Sequence, residues 1–200
     1  MEQDPKEYII QQQFQKIIDF LNKNFFSLCR DKVTAEIGCF EGHLTEHILL
    51  HNPSELILLE ANNEALKIVQ QKFPQCKSIL GDMHLDFNKV GQVDVVFLLG
   101  VIYHSHAPLH ILEEMVHYSN PQTVVIDNPG LGEFVIDEIP NLPGMRYITD
   151  GRKSCNLCSL INEEVIIKAM KNLGYNLIKR CIYPEGSKAV GTGIMHFELT

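Results

Sequence analysis

The chain has 200 residues, 45% of them hydrophobic, and its 17 Lys and Arg against 25 Asp and Glu give a net charge of −8. This length suits one well-buried core and is short for two ordinary domains, so we expect a single domain over residues 1–200. The acidic balance argues against a surface that collects polyanions. Without a secretory leader or a run of ~18 apolar residues, the sequence predicts a cytoplasmic protein with no membrane partner.

Helical and extended patterns alternate along the first two thirds of the chain. An opening helix begins at Asp4-Pro5 within residues 1–30, and its apolar face is expected to pack on a sheet or to cover a ligand. Short aliphatic runs predict strands at 32–37, 55–60, 77–80, 93–100 and 122–127. Helices are predicted between them at 43–51, 62–72 and 108–119. This alternation is typical of a parallel sheet with helices on both faces.

Residues 128–160 interrupt the alternation with many glycines and prolines. A connection of this length predicts a lid on the substrate side, or an insert with short structure of its own. A helix then opens at Asn162 and ends at Gly174, and strands are predicted at 175–183 and 192–199.

A glycine-spaced turn follows the first predicted strand, where Glu36 precedes Gly38, Phe40, Glu41 and Gly42. The two glycines permit a tight turn, so that a ligand can approach bare backbone at a helix N-terminus. A dinucleotide fingerprint needs a glycine where Phe40 stands, because the pyrophosphate must lie against the chain. The negative charges of Glu36 and Glu41 also disfavour the binding of a phosphate. The turn therefore argues against NAD, FAD and ATP.

Glu60 ends the next predicted strand, about 20 residues beyond the turn, where a carboxylate can accept hydrogen bonds from ribose hydroxyls. A cationic nucleoside without phosphate suits the combination of the acidic turn and Glu60. S-adenosylmethionine, which carries a sulfonium and an ammonium, has that character and is the predicted cofactor.

At these residues the chain resembles the class I S-adenosylmethionine-dependent methyltransferases, with Phe40 in the usual place of a middle glycine. The resemblance extends over residues 32–127 and includes later strand ends at Leu58–Asn62, Leu80–Met83 and Val93–Gly100. It implies a Rossmann-like three-layer α/β/α sandwich, with a mostly parallel seven-stranded sheet and an antiparallel last strand. The residues it implies for cofactor binding are Glu36, Gly38, Phe40, Gly42, Glu60, Ala61, Gly81, Asp82, Met83 and Gly100.

The segment after the fourth strand contains the candidate catalytic residues Tyr103 and His104. In an open parallel sheet the ligand crevice lies beyond the carboxyl ends of the strands, which would bring both side chains near the sulfonium. His104 could take a proton from a hydroxyl or an amine near neutral pH. In the alternative, Tyr103 packs on the methionine portion and His104 only hydrogen-bonds the backbone.

Residues Phe97–Leu109 also resemble the matching stretch of the tRNA wobble-uridine (carboxy)methyltransferases, which have a Gly-Val-Leu-Tyr-His run followed by Pro-Leu. Those enzymes are longer and have basic surfaces for tRNA, which are not expected of this acidic chain. Methyl transfer to oxygen or nitrogen of a small molecule is therefore favoured. The alternatives are an RNA methyltransferase and a catalytically silent cofactor-binding module. The sequence is also compatible with a homodimer.

Arg146, Tyr147 and Arg152 are candidates for binding an anionic acceptor, with solvated loop charges as the alternative. No metal site is predicted. Cys155 and Cys158 lack a second pair of ligands, and the six cysteines are typical of reduced thiols. The histidine sets at 43, 47, 51 and at 104, 106, 110 are interpreted as solvated side chains, and Asp127-Asn128 lacks the further carboxylate expected of a magnesium site.

Overall fold

The computed structural model describes residues 5–128, 145–148, 158–184 and 193–200, with the backbone alone described in 5–11, 145–148 and 158–160. Its strands are β1 (Val33–Ile37), β2 (Glu55–Glu60), β3 (Lys77–Leu80), β4 (Val95–Leu98), β5 (Thr123–Asn128), β6 (Met145–Ile148), β7 (Cys158–Ile161), β8 (Tyr175–Ile182) and β9 (Gly193–Leu199). Its α-helices are α1 (Pro5–Asn24), α2 (Thr45–Leu49), α3 (Asn63–Lys72), α4 (Phe87–Val90), α5 (Pro108–Ser119) and α6 (Glu163–Asn172). Short 3₁₀ turns occupy Phe26–Cys29 and Ile102–His104.

Seven strands form one sheet in the order β3-β2-β1-β4-β5-β9-β8. The first five run parallel, whereas β9 runs antiparallel to both β5 and β8. The predicted fold class, including the reversed last strand, is thereby confirmed. Strands β6 and β7 form a separate antiparallel pair within the connection that was predicted to be a lid or an insert.

Both faces of the sheet are buried at its central strands. Along β4, Val96 and Leu98 belong to one apolar cluster, which also includes Phe87 of α4 and Met115 of α5. Val95 and Phe97 belong to a second cluster on the opposite face, together with Leu21 of α1, Ile48 of α2 and Val69 of α3. This alternation explains why β4 is apolar at every position, since a central parallel strand is covered on both sides.

The helix starts follow from local chemistry. Asn62 caps α3, because its side-chain oxygen accepts hydrogen bonds from the backbone N–H groups of Glu64 and Ala65. Asn162 caps α6 in the same way, and Pro108 occupies the first turn of α5. No helix in the described ranges combines the length and the apolar composition that a membrane crossing requires.

Several element ends differ from the predictions. Strand β4 covers Val95–Leu98 and not 93–100, because Gly100 turns out of the strand at φ +73°. Helix α2 is shorter than 43–51, since Gly42 and the residues after it first form a turn. The four-residue helix α4 and the 3₁₀ turns were missed, because elements this short show no hydrophobic period.

Candidate functional site

A cleft of about 820 Å³ opens at the carboxyl ends of β1, β2 and β4. The chain proceeds from β1 outward to β3, then returns to the other side of β1 with β4, and ligands bind at such a reversal in open α/β sheets. The volume is in the range of clefts that hold ligands of drug size. Its lining residues are Ile37, Gly38, Phe40, Leu59, Glu60, Ala61, Asn62, Asp82, Met83, His84, Gly100, Val101 and His104.

The turn after β1 depends on backbone conformations that favour glycine. Gly38 and Gly42 have φ of +73° and +82°, and Phe40 between them has φ of +48°. A Cβ on Gly38 would lie 2.2 Å from Cγ1 of Val101, and one on Gly42 would lie 2.6 Å from the ring of Phe73. Both glycines are therefore required by positive φ and by close packing.

Replacing Gly38 by alanine should destabilise the protein by about 3 kcal/mol, since it adds backbone strain and a contact with a stiff valine. Gly100→Ala is the matched control, because Gly100 has the same φ of +73° and a Cβ there would have only an ordinary contact, 3.9 Å from the Tyr103 hydroxyl. The control should lose only about 1 kcal/mol. Chemical denaturation measures both variants, and equal losses would show that the contact with Val101 has no weight.

Glu60 is held at the end of β2 by two backbone N–H groups. Phe40 donates to Oε2 at 2.8 Å, and Asn62 donates to Oε1 at 2.7 Å. The side chain lines the cleft and is otherwise buried. A carboxylate oxygen can accept more than one hydrogen bond, so Glu60 can bind ligand hydroxyls while it fixes the strained turn at Phe40.

Glu36 lies beneath the turn and does not line the cleft. Its carboxyl is buried, and Thr45 Oγ1 donates to Oε2 at 2.6 Å. Burial raises the pKa of Glu36 to about 8, opposed by the Thr45 hydrogen bond and assisted by the charge of Glu60. Glu36 and Glu60 therefore have different environments, one buried beneath the turn and the other open to the cleft.

The loop after β3 is built around Asp82. Burial raises the pKa of this carboxyl, but hydrogen bonds from the backbone and ring of His84 outweigh it, so the pKa is lowered overall. Gly81 is enclosed, because a Cβ there would lie 2.8 Å from atoms of both Leu59 and Asp86. The position of Gly81 thus has no room for a side chain, whereas Asp82 and Met83 line the cleft.

The segment after β4 closes the other side of the cleft. Gly100 donates its N–H to Asp127 Oδ1 at the end of β5, and the Tyr183 hydroxyl donates to Asp127 Oδ2 at 3.4 Å. The rings of Tyr103 and His104 pack at 4.3 Å between centroids. His104 lines the cleft and Tyr103 does not, so the two candidate catalytic side chains have different positions.

Sequence reasoning missed several lining residues, notably Val101 and His84. His84 had a detectable signal, since it is a titratable residue two positions beyond a predicted strand-end aspartate. The lining includes the acidic residues Glu60 and Asp82 and, within the described ranges, no lysine or arginine. Such a lining suits a cation better than a phosphate.

The remaining candidates fall elsewhere. Arg146 and Tyr147 lie on β6, where only the backbone is described, and Arg152 lies outside the described residues. The ring of His43 contacts Phe14, and that of His51 contacts Phe26. Among the residues that the structure describes, no three His, Cys, Asp or Glu are grouped to hold a metal ion.

Comparison with known proteins agrees with this geometry. Residues 35–126 match the family model described as a methyltransferase domain. The solved structure of magnesium protoporphyrin IX methyltransferase from Synechocystis PCC 6803 with bound SAH has the same fold, with a TM-score of 0.74 at 12% identity over 100% of this chain and 90% of that one. Residues 35–126 are thus similar to a methyltransferase domain, and the chain has the fold of a methyltransferase solved with bound SAH.

Several proteins of similar sequence are tRNA U34 carboxymethyltransferases. That of Helicobacter acinonychis (strain Sheeba) is 30% identical over 122 residues, which cover 54% of this chain and 46% of that protein. That of Helicobacter pylori (strain HPAG1) is 29% identical over 116 residues, covering 52% and 44%. The chain spans less than half the length of these curated relatives.

Proposed function

We propose that this protein transfers the methyl group of S-adenosylmethionine to an oxygen or nitrogen of a small-molecule acceptor. The observation that carries the proposal is the cleft at the β1–β4 reversal, which has two carboxylates in its lining and, in the described part of the chain, no lysine or arginine. S-adenosylmethionine supplies a methyl group on a positively charged sulfur, which leaves as a neutral thioether. These residues fit that ligand, since their negative charge and their acceptors for hydroxyl groups suit a cation better than a phosphate.

Each side of the cleft has its own role in this proposal. The residues proposed for the cofactor are Glu36, Gly38, Phe40, Gly42, Glu60, Ala61, Gly81, Asp82, Met83 and Gly100. Of these, Glu60 accepts hydrogen bonds from the ribose and Asp82 bounds the adenine side. Glu36, Gly42 and Gly81 act from outside the lining, because they shape the backbone and the charge beneath it.

Much of the catalysis in such a displacement comes from holding the acceptor in line with the methyl group, and a base is needed only where the acceptor retains its proton. His104 lines the cleft on the acceptor side and is the proposed proton acceptor. Tyr103, packed on the His104 ring, supports it from behind. Arg146, Tyr147 and Arg152 remain candidates for binding an anionic acceptor.

The identity of the acceptor is tested by incubating the protein with radiolabelled S-adenosylmethionine and either metabolite pools or total tRNA. Label in a small molecule supports the proposal. Label in tRNA would support the second candidate, an RNA methyltransferase, which is favoured by the similarity to the U34 enzymes. Cofactor binding without labelling of either pool would indicate a silent binding module. The net charge of −8 argues against tRNA, because phosphate contacts dominate nucleic-acid affinity.

His104→Ala should lower the rate of methyl transfer by about 10²-fold or more, the usual contribution of a positioned base. The affinity for S-adenosylmethionine should change much less, because the base acts on the acceptor. His117→Ala, an exposed position on α5, is the matched control and should retain full activity. If His104→Ala kept the wild-type rate, His104 would not be the base, and catalysis would come from alignment of the acceptor with the methyl group alone.

A further inference from the structure

A chain of hydrogen bonds joins the two sides of the cleft through His84. Its Nδ1 lies 2.6 Å from Asp82 Oδ1 in the loop after β3. Its Nε2 lies 2.6 Å from Ser105 Oγ in the segment after β4. The imidazole also stacks on the ring of His106, with centroids 4.8 Å apart and planes at 19°. One side chain thus contacts both halves of the site.

The direction of these bonds follows from the groups involved. Asp82 as a carboxylate only accepts, so Nδ1 carries the shared hydrogen. Ser105 Oγ already accepts the N–H of Ala107 at 2.8 Å. With neutral His84, the hydroxyl hydrogen of Ser105 therefore points to Nε2. The ring orientation and tautomer are fixed from both ends, as in other Asp–His pairs.

The order Asp–His–Ser is that of a hydrolytic triad, but the exposure of the serine argues against a nucleophile. Ser105 has no exposed surface, so its oxygen cannot reach an electrophile in the cleft. Ser105 is also absent from the cleft lining, whereas Asp82 and His84 are part of it. The arrangement connects two loops and does not present a reactive hydroxyl.

We propose that His84 is a positioning residue that couples cofactor binding at Asp82 to the conformation of the acceptor-side segment at Ser105. This inference rests on the proposed function of the cleft. Binding at Asp82 fixes His84, and His84 in turn fixes the residues next to the proposed base His104. A change at buried Ser105 should therefore alter the affinity for a ligand that Ser105 does not touch.

The test is a double-mutant cycle in the full chain, measured by calorimetry with S-adenosylmethionine and S-adenosylhomocysteine. His84→Phe keeps a ring to stack on His106 but removes both hydrogen bonds. Ser105→Ala removes only the bond at Nε2 and the acceptor for Ala107. Each single variant should weaken binding about three- to tenfold, the effect of a lost hydrogen bond. The double variant should bind no more weakly than His84→Phe alone, whereas additive losses would overturn the coupling.

A second readout does not depend on comparing binding affinities. In the wild type, the Nδ1 proton of His84 should give a far-downfield NMR resonance that shifts in Ser105→Ala and is missing in His84→Phe. A resonance unaffected by Ser105→Ala would overturn the inference even if one variant folds poorly. If the wild type binds no S-adenosylmethionine, the proposed function fails. If the wild type binds it and Ser105→Ala has no effect on affinity or resonance, only the coupling fails.

Discussion

Glu36→Gln should stabilise the ligand-free protein at pH 8 and weaken its binding of S-adenosylmethionine. Burial raises the pKa of Glu36 from 4.5 to about 8, with Thr45 opposing and Glu60 adding to the shift. The unfolded chain ionises Glu36 above about pH 4.5, whereas the folded protein retains the proton until about pH 8. Stability from this group is thus fully present below the unfolded pKa and is lost as pH rises through the folded pKa.

The expected size is a few kcal/mol in the free energy of unfolding between about pH 5 and pH 8, because each unit of pKa difference is worth ~1.4 kcal/mol. Glutamine is neutral at every pH and can still accept the hydrogen bond from Thr45, so Glu36→Gln should remove this slope. Denaturant unfolding at several pH values measures the change. Glu46→Gln on α2, where the glutamate is exposed, is the matched control and should keep the wild-type slope.

Ionised Glu36, which destabilises the ligand-free protein, should favour the binding of the cofactor. A cation in the cleft favours the ionised form of Glu36, so binding near pH 7 should release a proton from the wild type. Glu36→Gln should bind more weakly and should release no proton from this position. Calorimetry in two buffers with different ionisation enthalpies counts the protons. Equal proton release by the wild type and the variant would assign the linkage to another group.

Glu60→Gln should produce the larger loss of cofactor affinity, by about 2 kcal/mol, the value of hydrogen bonds to a charged acceptor. The amide also leaves one of the two N–H donors, those of Phe40 and Asn62, without an acceptor. Because the Phe40 N–H holds a backbone at φ +48°, stability should fall as well. Calorimetry gives the affinity and chemical denaturation gives the stability.

Glu55→Gln is the control for this prediction, since Glu55 begins the same strand and is exposed. It should bind S-adenosylmethionine with unchanged affinity. Should Glu60→Gln bind as tightly as this control, the role proposed for Glu60 at the ribose would be wrong.

The sheet and most of its strands could be predicted from the sequence, because a parallel strand covered on both faces is apolar along its whole length. The turn at Gly38 and Gly42 was also predictable, since positive φ selects glycine. The positive φ of Phe40 was not predictable, because this strained backbone is held by a hydrogen bond to Glu60, which is 20 residues away in sequence.

The positions of Glu36, Tyr103 and His84 show what sequence patterns leave out. Glu36 and Tyr103 were expected at the ligand, yet neither lines the cleft. A motif places a residue on a strand end but does not determine which way its side chain points. His84 contributes through two side-chain contacts, with Asp82 and Ser105, which no local pattern encodes.

The reversal of strand order between β1 and β4 has a consequence for how the protein could acquire new selectivity. The loops after β1, β2 and β3, proposed to hold most of the cofactor, lie on one side of the reversal, and residues 101–105 and Asp127 lie on the other. Selection on the acceptor can therefore act on the second set while the donor site is inherited unchanged. His84 is the exception, since it hydrogen-bonds to both sets and limits how independently they can diverge.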